Sequence, residues 1–284
     1  MRLSIVTINY NNAEGLRKTL ASVAAQTYRD IEHIIIDGGS TDGSVDVIRE
    51  YESSNTLNSH PLILKWISEK DKGIYNGMNK GIRMASGDYC QFLNSGDCLF
   101  REDVTALMIT ELNKVNALRP QPIGVLYGNM IKLLPSGKSF RDECAPVNGV
   151  SLNMFYHGCL NHSPAYIKRS LFDEYGYYDE TLKICSDWKF YMQSIVLGKA
   201  TTKHVDIVVT HFDMNGISET RKDILNEERN RLLHEMIPQG ILKDYDRYHF
   251  PMEEYDRLKK YHLWGLVWFI ERVLFKLEKW RILR

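Results

Sequence analysis

Two acidic residues in this chain each close a run of residues suited to burial. Residues 31–43 read IEHIIIDGGSTDG: a β-branched run ends at Asp37, then gives way to glycines and hydroxyls. Residues 89–97 read YCQFLNSGD and end at Asp97 in the same manner. Two such strand ends, side by side in a parallel sheet, would place carboxylates at one crevice. A carboxylate only accepts hydrogen bonds, so Asp37 suits the N–H of a pyrimidine ring or a ribose hydroxyl. Gly38 lets a ligand approach the backbone closely. Asp97 offers the oxygen ligand that Mg²⁺ or Mn²⁺ prefers, usually shared with substrate phosphates. The plain alternative is a turn at each site, with Asp42 or Ser44 at a helix N-terminus.

Two further segments belong beside these. Residues 7–12, TINYNN, carry Thr7, Asn9 and Asn11, whose amides and hydroxyl could bond a base or ribose. The alternative there is a turn in which an Asn caps the next helix. Residues 68–76, SEKDKGIYN, place Lys72 just before a helical pattern. A lysine at a helix N-terminus opposes the dipole unless an anion such as a diphosphate lies there. Neither a G-x-G-x-x-G nor a G-x-x-x-x-G-K-[ST] pattern is present, which removes the dinucleotide fingerprint and the P-loop.

The elements that must position these residues follow from periodicity. Residues 3–8, 31–36, 62–67 and 89–93 read as buried strands. Helical spacing fills the intervals, as in Leu16, Leu20 and Val23, or Ile74, Met78 and Ile82. Strand and helix alternate four times over residues 1–115. This predicts an α/β fold with an open, mostly parallel, Rossmann-like sheet and helices on both faces. Residues 125–134 and 137–140 read as strands around a Pro-Ser-Gly turn, and 205–209 as another. A helix is expected after Asp187 and another over 224–236. Residues 116–218 should complete the same domain, with a helical C-terminal tail over 219–284.

Composition sets the limits. Lys+Arg and Asp+Glu number 36 each, so no global field points to nucleic acid. Residues 257–284 hold eight Lys/Arg against two Glu, a basic tail on an acidic body. Five cysteines without a C-x-x-C pair argue against a disulfide framework or thiolate zinc and fit a reducing compartment. The N-terminus reads as a first strand rather than a signal peptide. No run of about 18 apolar residues predicts a spanning helix.

Four blocks together carry a resemblance. SIVTINYNN at 4–12, HIIIDGGSTDGS at 33–44, DKGIYNGMNKGI at 71–82 and GDYCQFLNSGD at 87–97 resemble, in order, the family 2 glycosyltransferases with a GT-A fold. Beyond residue 115 the likeness thins to GCLNHSPAY at 158–166, SDW at 186–188 and FDMNGIS at 212–218. The resemblance implies an inverting transferase with a nucleotide-sugar donor and Mg²⁺ or Mn²⁺. It assigns Thr7, Asn9 and Asp37 to the nucleoside, with Asn11 and Gly38 alongside, and Lys72 to base or phosphates. Asp97 becomes the metal ligand of a D-x-D-type motif. The family commonly has carboxylates where Asn94 and Gly96 stand; Asn94 could still bond a ribose hydroxyl. The family's catalytic base starts a late helix, which selects Asp187 over Asp173, Asp179 and Glu180. The alternative for Asp187 is a first-turn acid favoured by the helix dipole. By the same resemblance His211 would complete the metal shell and His162 would touch acceptor or phosphate; a structural histidine is the alternative for each.

The tail reads as a surface helix. Leu263, Leu266, Val267, Ile270, Leu274 and Leu277 share one face, with Arg272, Lys276 and Lys279 opposite and Trp264, Trp268 and Trp280 placed for a headgroup boundary. The expected setting is cytoplasmic, peripheral at the inner face of the cell membrane, with a lipid-linked saccharide acceptor in surface polysaccharide synthesis. Docking of this helix on the body or in a homodimer is the alternative. The rival functions are a sugar-phosphate nucleotidyltransferase and a non-catalytic carbohydrate-binding scaffold.

Overall fold

Every side chain of the first two strands is buried, which is what a sheet covered on both faces demands. In the computed structural model these are β1 (Leu3–Asn9) and β2 (Ile31–Asp37). The polar residues inside them are matched. Glu32 accepts from Ser4, Lys65 and the backbone and hydroxyl of Ser86. Burial alone would raise its carboxyl, but these partners win and bring it to about 2. His33, pushed down to about 3 by burial, sits between Thr7 and Tyr51.

The structure describes residues 1–144, 149–262 and 264–282, with the side chains of 249–256, 264 and 277–282 left aside. The remaining strands are β3 (Ile63–Ser68), β4 (Tyr89–Asn94), β5 (Cys98–Leu99), β6 (Val125–Leu133), β7 (Ser139–Asp142), β8 (Ala165–Lys168) and β9 (Thr202–Asp213). The sheet runs β3-β2-β1-β4-β8-β6-β9-β5, with β7 beside β6. Its first four strands are parallel, as is β6 with β9; the other pairings are antiparallel.

Helices α1 (Ala13–Ala24), α2 (Ser44–Thr56), α3 (Ile74–Met84) and α4 (Val104–Ala117) connect the parallel strands and their continuation. Glycine lets α3 press onto β1: a Cβ at Gly81 would lie 2.3 Å from a Val6 methyl. The second half adds α5 (Leu152–His157), α6 (Ser170–Tyr175), α7 (Ser186–Tyr191), a π-helical turn (Met192–Val196), α8 (Ile217–Thr220) and α9 (Lys222–Met236). One core joins the halves, from Leu3 and Leu93 to Leu126, Tyr166 and Val209; each fully buried Leu contributes roughly 1.5–3 kcal/mol.

Register places the strand ends together. Asn9 lies opposite Asp37, Ile8 opposite Asn94, and Asp37 opposite Ser68. The loops after β1, β2, β3 and β4 therefore leave from one edge.

The backbone divides into two compact units, Met1–Arg229 and Asn230–Arg284. The division falls inside α9, so α8 and the start of α9 go with the sheet. The second unit contains α10 (Gln239–Lys260) and α11 (Trp264–Ile282). Among the described residues no helix is long and apolar enough to cross a membrane. On α11, Leu266, Ile270 and Leu274 are exposed, but so are Trp268, Phe269, Val273 and Phe275. Its exposed apolar surface is thus broader than one stripe. Arg272 lies over the Trp268 ring at 4.4 Å. Leu263 lies outside the described residues, as do the side chains of Trp264, Leu277, Lys279 and Trp280.

Candidate active site

A cavity of about 1260 Å³ opens at the edge where the parallel strands end. Asn9, Gly38, Asn94, Asp97 and Asp187 all line it. The segments after β1, β2, β3 and β4 form one wall, and residues from α5 to α9 form the other.

At the β1–β2 end, sequence and structure part company on side chains. Asp37 is fully buried and absent from the cavity wall. Its Oδ1 accepts from Asn9 Nδ2 (2.7 Å) and Ser40 Oγ (2.6 Å). Its Oδ2 accepts from Ser40 N (3.0 Å) and Ser68 Oγ (2.6 Å). Burial works against this carboxylate, but the hydroxyl and N–H donors prevail and hold it below its ordinary value. Asp37 is therefore a knot joining three strand ends rather than an open acceptor. Thr7 is likewise sealed in the sheet, its hydroxyl 3.0 Å from His33 Nε2. Asn11 is absent from the cavity wall, takes φ 47°, and ties the loop to Thr41 and Ser40. Lys72 is exposed and off the wall. What the cavity meets here is Tyr10, Lys70 and Asp71. Asp71 is paired with Lys80 and only 11% exposed. Asn9 does reach the wall, and its Oδ1 is buried without a partner. The helix-cap alternatives hold at Asn12, which accepts from Gly15 N, and at Asp42, which accepts from Ala13 N and Ser44 N.

The centre of the cavity holds two carboxylates. Asp97 Oδ1 accepts from Asp213 N (3.0 Å), while Oδ2 is buried with no partner. Burial pushes Asp97 up to about 7, against the Asp213 N–H and the His162 charge. Raised in the fold, this carboxyl favours folding at low pH and withdraws that support as pH climbs from about 4 toward 7. Asp213 stands across Gly96. A Cβ at residue 96 would lie 3.1 Å from Asp213 Oδ2, and Gly96 takes φ +110°. Among the described residues no group of three His, Cys, Asp or Glu is arranged to hold a metal. Two carboxylates, one with an orphaned buried oxygen, still fit a divalent cation that takes its remaining oxygens from phosphate and water. His211 does not line the cavity; its ring packs 5.0 Å from Phe100, opposite Cys98 in the β5–β9 pair. Burial lowers its imidazole below the ordinary value, and its Nδ1 is buried without a partner.

At the far end stands Asp187, in the first turn of α7. Its Oδ1 accepts from Trp188 N (2.8 Å) and the Tyr75 hydroxyl (3.1 Å). Its Oδ2 lies 3.1 Å from His162 Nδ1. Burial pulls the His162 imidazole down, but the bond and charge of Asp187, joined by Asp97, hold it above its ordinary value. His162 Nε2 lies 3.4 Å from the Asn94 amide, whose oxygen has no partner. A flip of that amide would set its oxygen against a protonated Nε2. One polar chain thus runs from Asn94, beside Asp97, to Asp187. Asp173, Asp179 and Glu180 are off the wall, engaged with Arg169, Lys189 and the Asn76/Asn79 amides.

Two residues of this end escaped the sequence reading. Glu228 of α9 accepts from the backbone N–H groups of Lys183 (2.7 Å), Ile184 (3.0 Å) and Cys185 (3.0 Å), the stretch that enters α7. Arg229, next to it, lines the cavity. Nothing in a polar, amphipathic helix marks which of its charges face inward.

Comparisons with known proteins agree with the fold. The sequence profile of glycosyl transferase family 2 matches residues 4–120. An uncharacterized glycosyltransferase of Mycobacterium tuberculosis is 33% identical over 223 residues, covering 78% of each chain. A PGL/p-HBAD biosynthesis glycosyltransferase of Mycobacterium bovis is 25% identical over 224 residues, covering 78% of this chain and 80% of that one. Among solved structures, S. aureus TarS superposes with a TM-score of 0.60 at 18% identity, over 82% of this chain and 44% of that chain. The mannosyltransferase PcManGT of Pyrobaculum calidifontis, in complex with GDP-Man and Mn²⁺, gives 0.55 at 17% identity, over 74% and 56%. The GT-A fold is shared, and the chain belongs to glycosyltransferase family 2.

Proposed function

We propose that this glycosyltransferase inverts configuration as it moves a sugar from a uridine diphosphate donor to a hydroxyl of a lipid-linked saccharide. The observation that carries the reading is the shared cavity: Asp97 and Asp187 face one space, joined through Asn94 and His162. A uridine donor is supported by a TarS structure in complex with UDP-GlcNAc.

Tyr10 and Asp71 would receive the nucleoside, with Lys70 beside them. Asp97 and Asp213 would hold Mg²⁺ or Mn²⁺, which would offset the diphosphate's charge as it leaves. Asp187 would take the proton of the acceptor hydroxyl. The acceptor oxygen then bonds to the anomeric carbon as its bond to the diphosphate oxygen breaks on the opposite face. Tyr75, Trp188 N and His162 fix the carboxylate's orientation and leave Oδ2 a lone pair for that proton. The exposed aromatic and basic surface of α11 supports contact with an anionic membrane at the inner face, where a lipid-linked acceptor of surface polysaccharide would lie.

Asp187→Asn tests the reading. UDP affinity should hold, while sugar-dependent UDP release across a panel of UDP-sugars and saccharide acceptors falls by about 10²-fold or more. Unchanged turnover would remove Asp187 from the chemistry.

A further inference from the structure

The cations on the cavity wall are not equivalent. Lys132 is paired with Asp142 (2.7 Å) and Lys222 with Glu219 (2.8 Å), all four on the wall. Arg229 is different. Among the described residues it has no carboxylate partner. Its Nη1 makes one long bond to the His157 carbonyl (3.3 Å), and its Nε is buried without an acceptor. A half-buried guanidinium offers its remaining donors as a planar fork that suits an oxyanion.

Its place says which oxyanion. Arg229 bonds the carbonyl of His157, and the flanking Phe155 and Gly158 carbonyls accept from the Nε1 of Trp188, the residue after Asp187. It therefore lies on the cavity wall by the stretch that packs against α7. Glu228, its neighbour, clasps the backbone of Lys183, so a second cation without an ion pair among the described residues stands at the same end. Two cations match a dianion better than a single carboxylate.

We infer that Arg229, with Lys183, forms an acceptor subsite for a phosphate group. The acceptor class is thus a phosphate-bearing saccharide, whose phosphate lies close to the hydroxyl offered to Asp187. This rests on the glycosyltransferase reading of the same cavity and narrows it. Because Glu228 and Arg229 are adjacent, filling the subsite would also steady the turn that presents Asp187.

The test uses the full chain and two probes, inorganic phosphate and UDP with Mn²⁺, titrated against wild type, R229Q and R229K. Phosphate should bind the wild type and lose at least about tenfold in R229Q, with R229K in between. UDP should bind all three alike. Phosphate binding that ignores residue 229 overturns the subsite. So does a loss of UDP affinity in R229Q, which would assign Arg229 to the donor. Glucuronate competing better than phosphate overturns the phosphate assignment. A wild type that binds phosphate through Arg229 but never UDP would leave the subsite standing and remove the donor reading instead.

Discussion

Glu228 offers the sharpest mechanical test. It is 8% exposed, and both its oxygens accept from the backbone that feeds α7. Those N–H groups lie just ahead of a helix N-terminus, where orphan donors and the dipole both favour a carboxylate. A hydrogen bond to a charged group is worth roughly 1.5–3 kcal/mol. Three such bonds would sum to more, but water entering the gap in Glu228→Ala would satisfy some of the N–H groups. About 3 kcal/mol is then a fair expectation, or a fall of about 6–12 °C in Tm for a domain of this size. Glu228→Gln cannot accept at both ends, because its amide nitrogen must face a donor; it should lose less than Ala but not match wild type. In both variants kcat should fall with Asp187's turn loosened, while UDP affinity holds. A Glu228→Ala enzyme with wild-type Tm and kcat would refute the claim that α9 positions the base.

Two further outcomes follow from the geometry. Gly96→Ala places a Cβ 3.1 Å from Asp213 Oδ2 at φ +110°, a backbone state that costs roughly 1–3 kcal/mol for a residue with a side chain. UDP titration with and without Mn²⁺ should show the metal-dependent gain shrinking while metal-free affinity holds; an unchanged gain would take Asp213 out of the metal corner. The full chain should co-sediment with phosphatidylglycerol vesicles, less so at high salt and not at all when residues 264–284 are removed; equal recovery of the truncated chain would sink membrane contact through α11.

The parallel half of the fold was open to reading because burial on both faces suppresses strict alternation, and residues 3–8, 31–36 and 89–93 are mostly β-branched or apolar, with Ser4, Thr7, Glu32, His33 and Gln91 as buried polar exceptions. The antiparallel half was harder. β5 has two residues and β8 four, too short for any period, and both exist because β9, β4 and β6 offer edges to pair with. At the site the sequence located strand ends well and side-chain duties less well. Asp37 does end β2 at the right edge, but Ser40, Ser68 and Asn9 reach it from three other places and occupy its oxygens. A carboxylate's freedom depends on such partners, and a sequence does not say which hydroxyls will arrive. The place of Asp187 at a helix start was readable from the SDW block and the apolar face after it; Glu228 was not, because its partners lie 43 to 45 residues away.

The missing carboxylate at residue 96 carries the same lesson further. Read along the chain, Asn94-Ser-Gly-Asp97 is poor in acid for a cation site. In the fold, β9 returns Asp213 from 116 residues downstream, and its N–H binds Asp97 while its side chain stands over Gly96. The two facts are one constraint. Any side chain at 96 would contend with Asp213 for that space, so glycine there and aspartate at 213 are a matched pair. The second carboxylate beside Asp97 comes from the sheet's opposite half. A corner built this way depends on β9 keeping its register with β6: a shift of one residue would turn Asp213 to the other face and leave Asp97 as the corner's single acid.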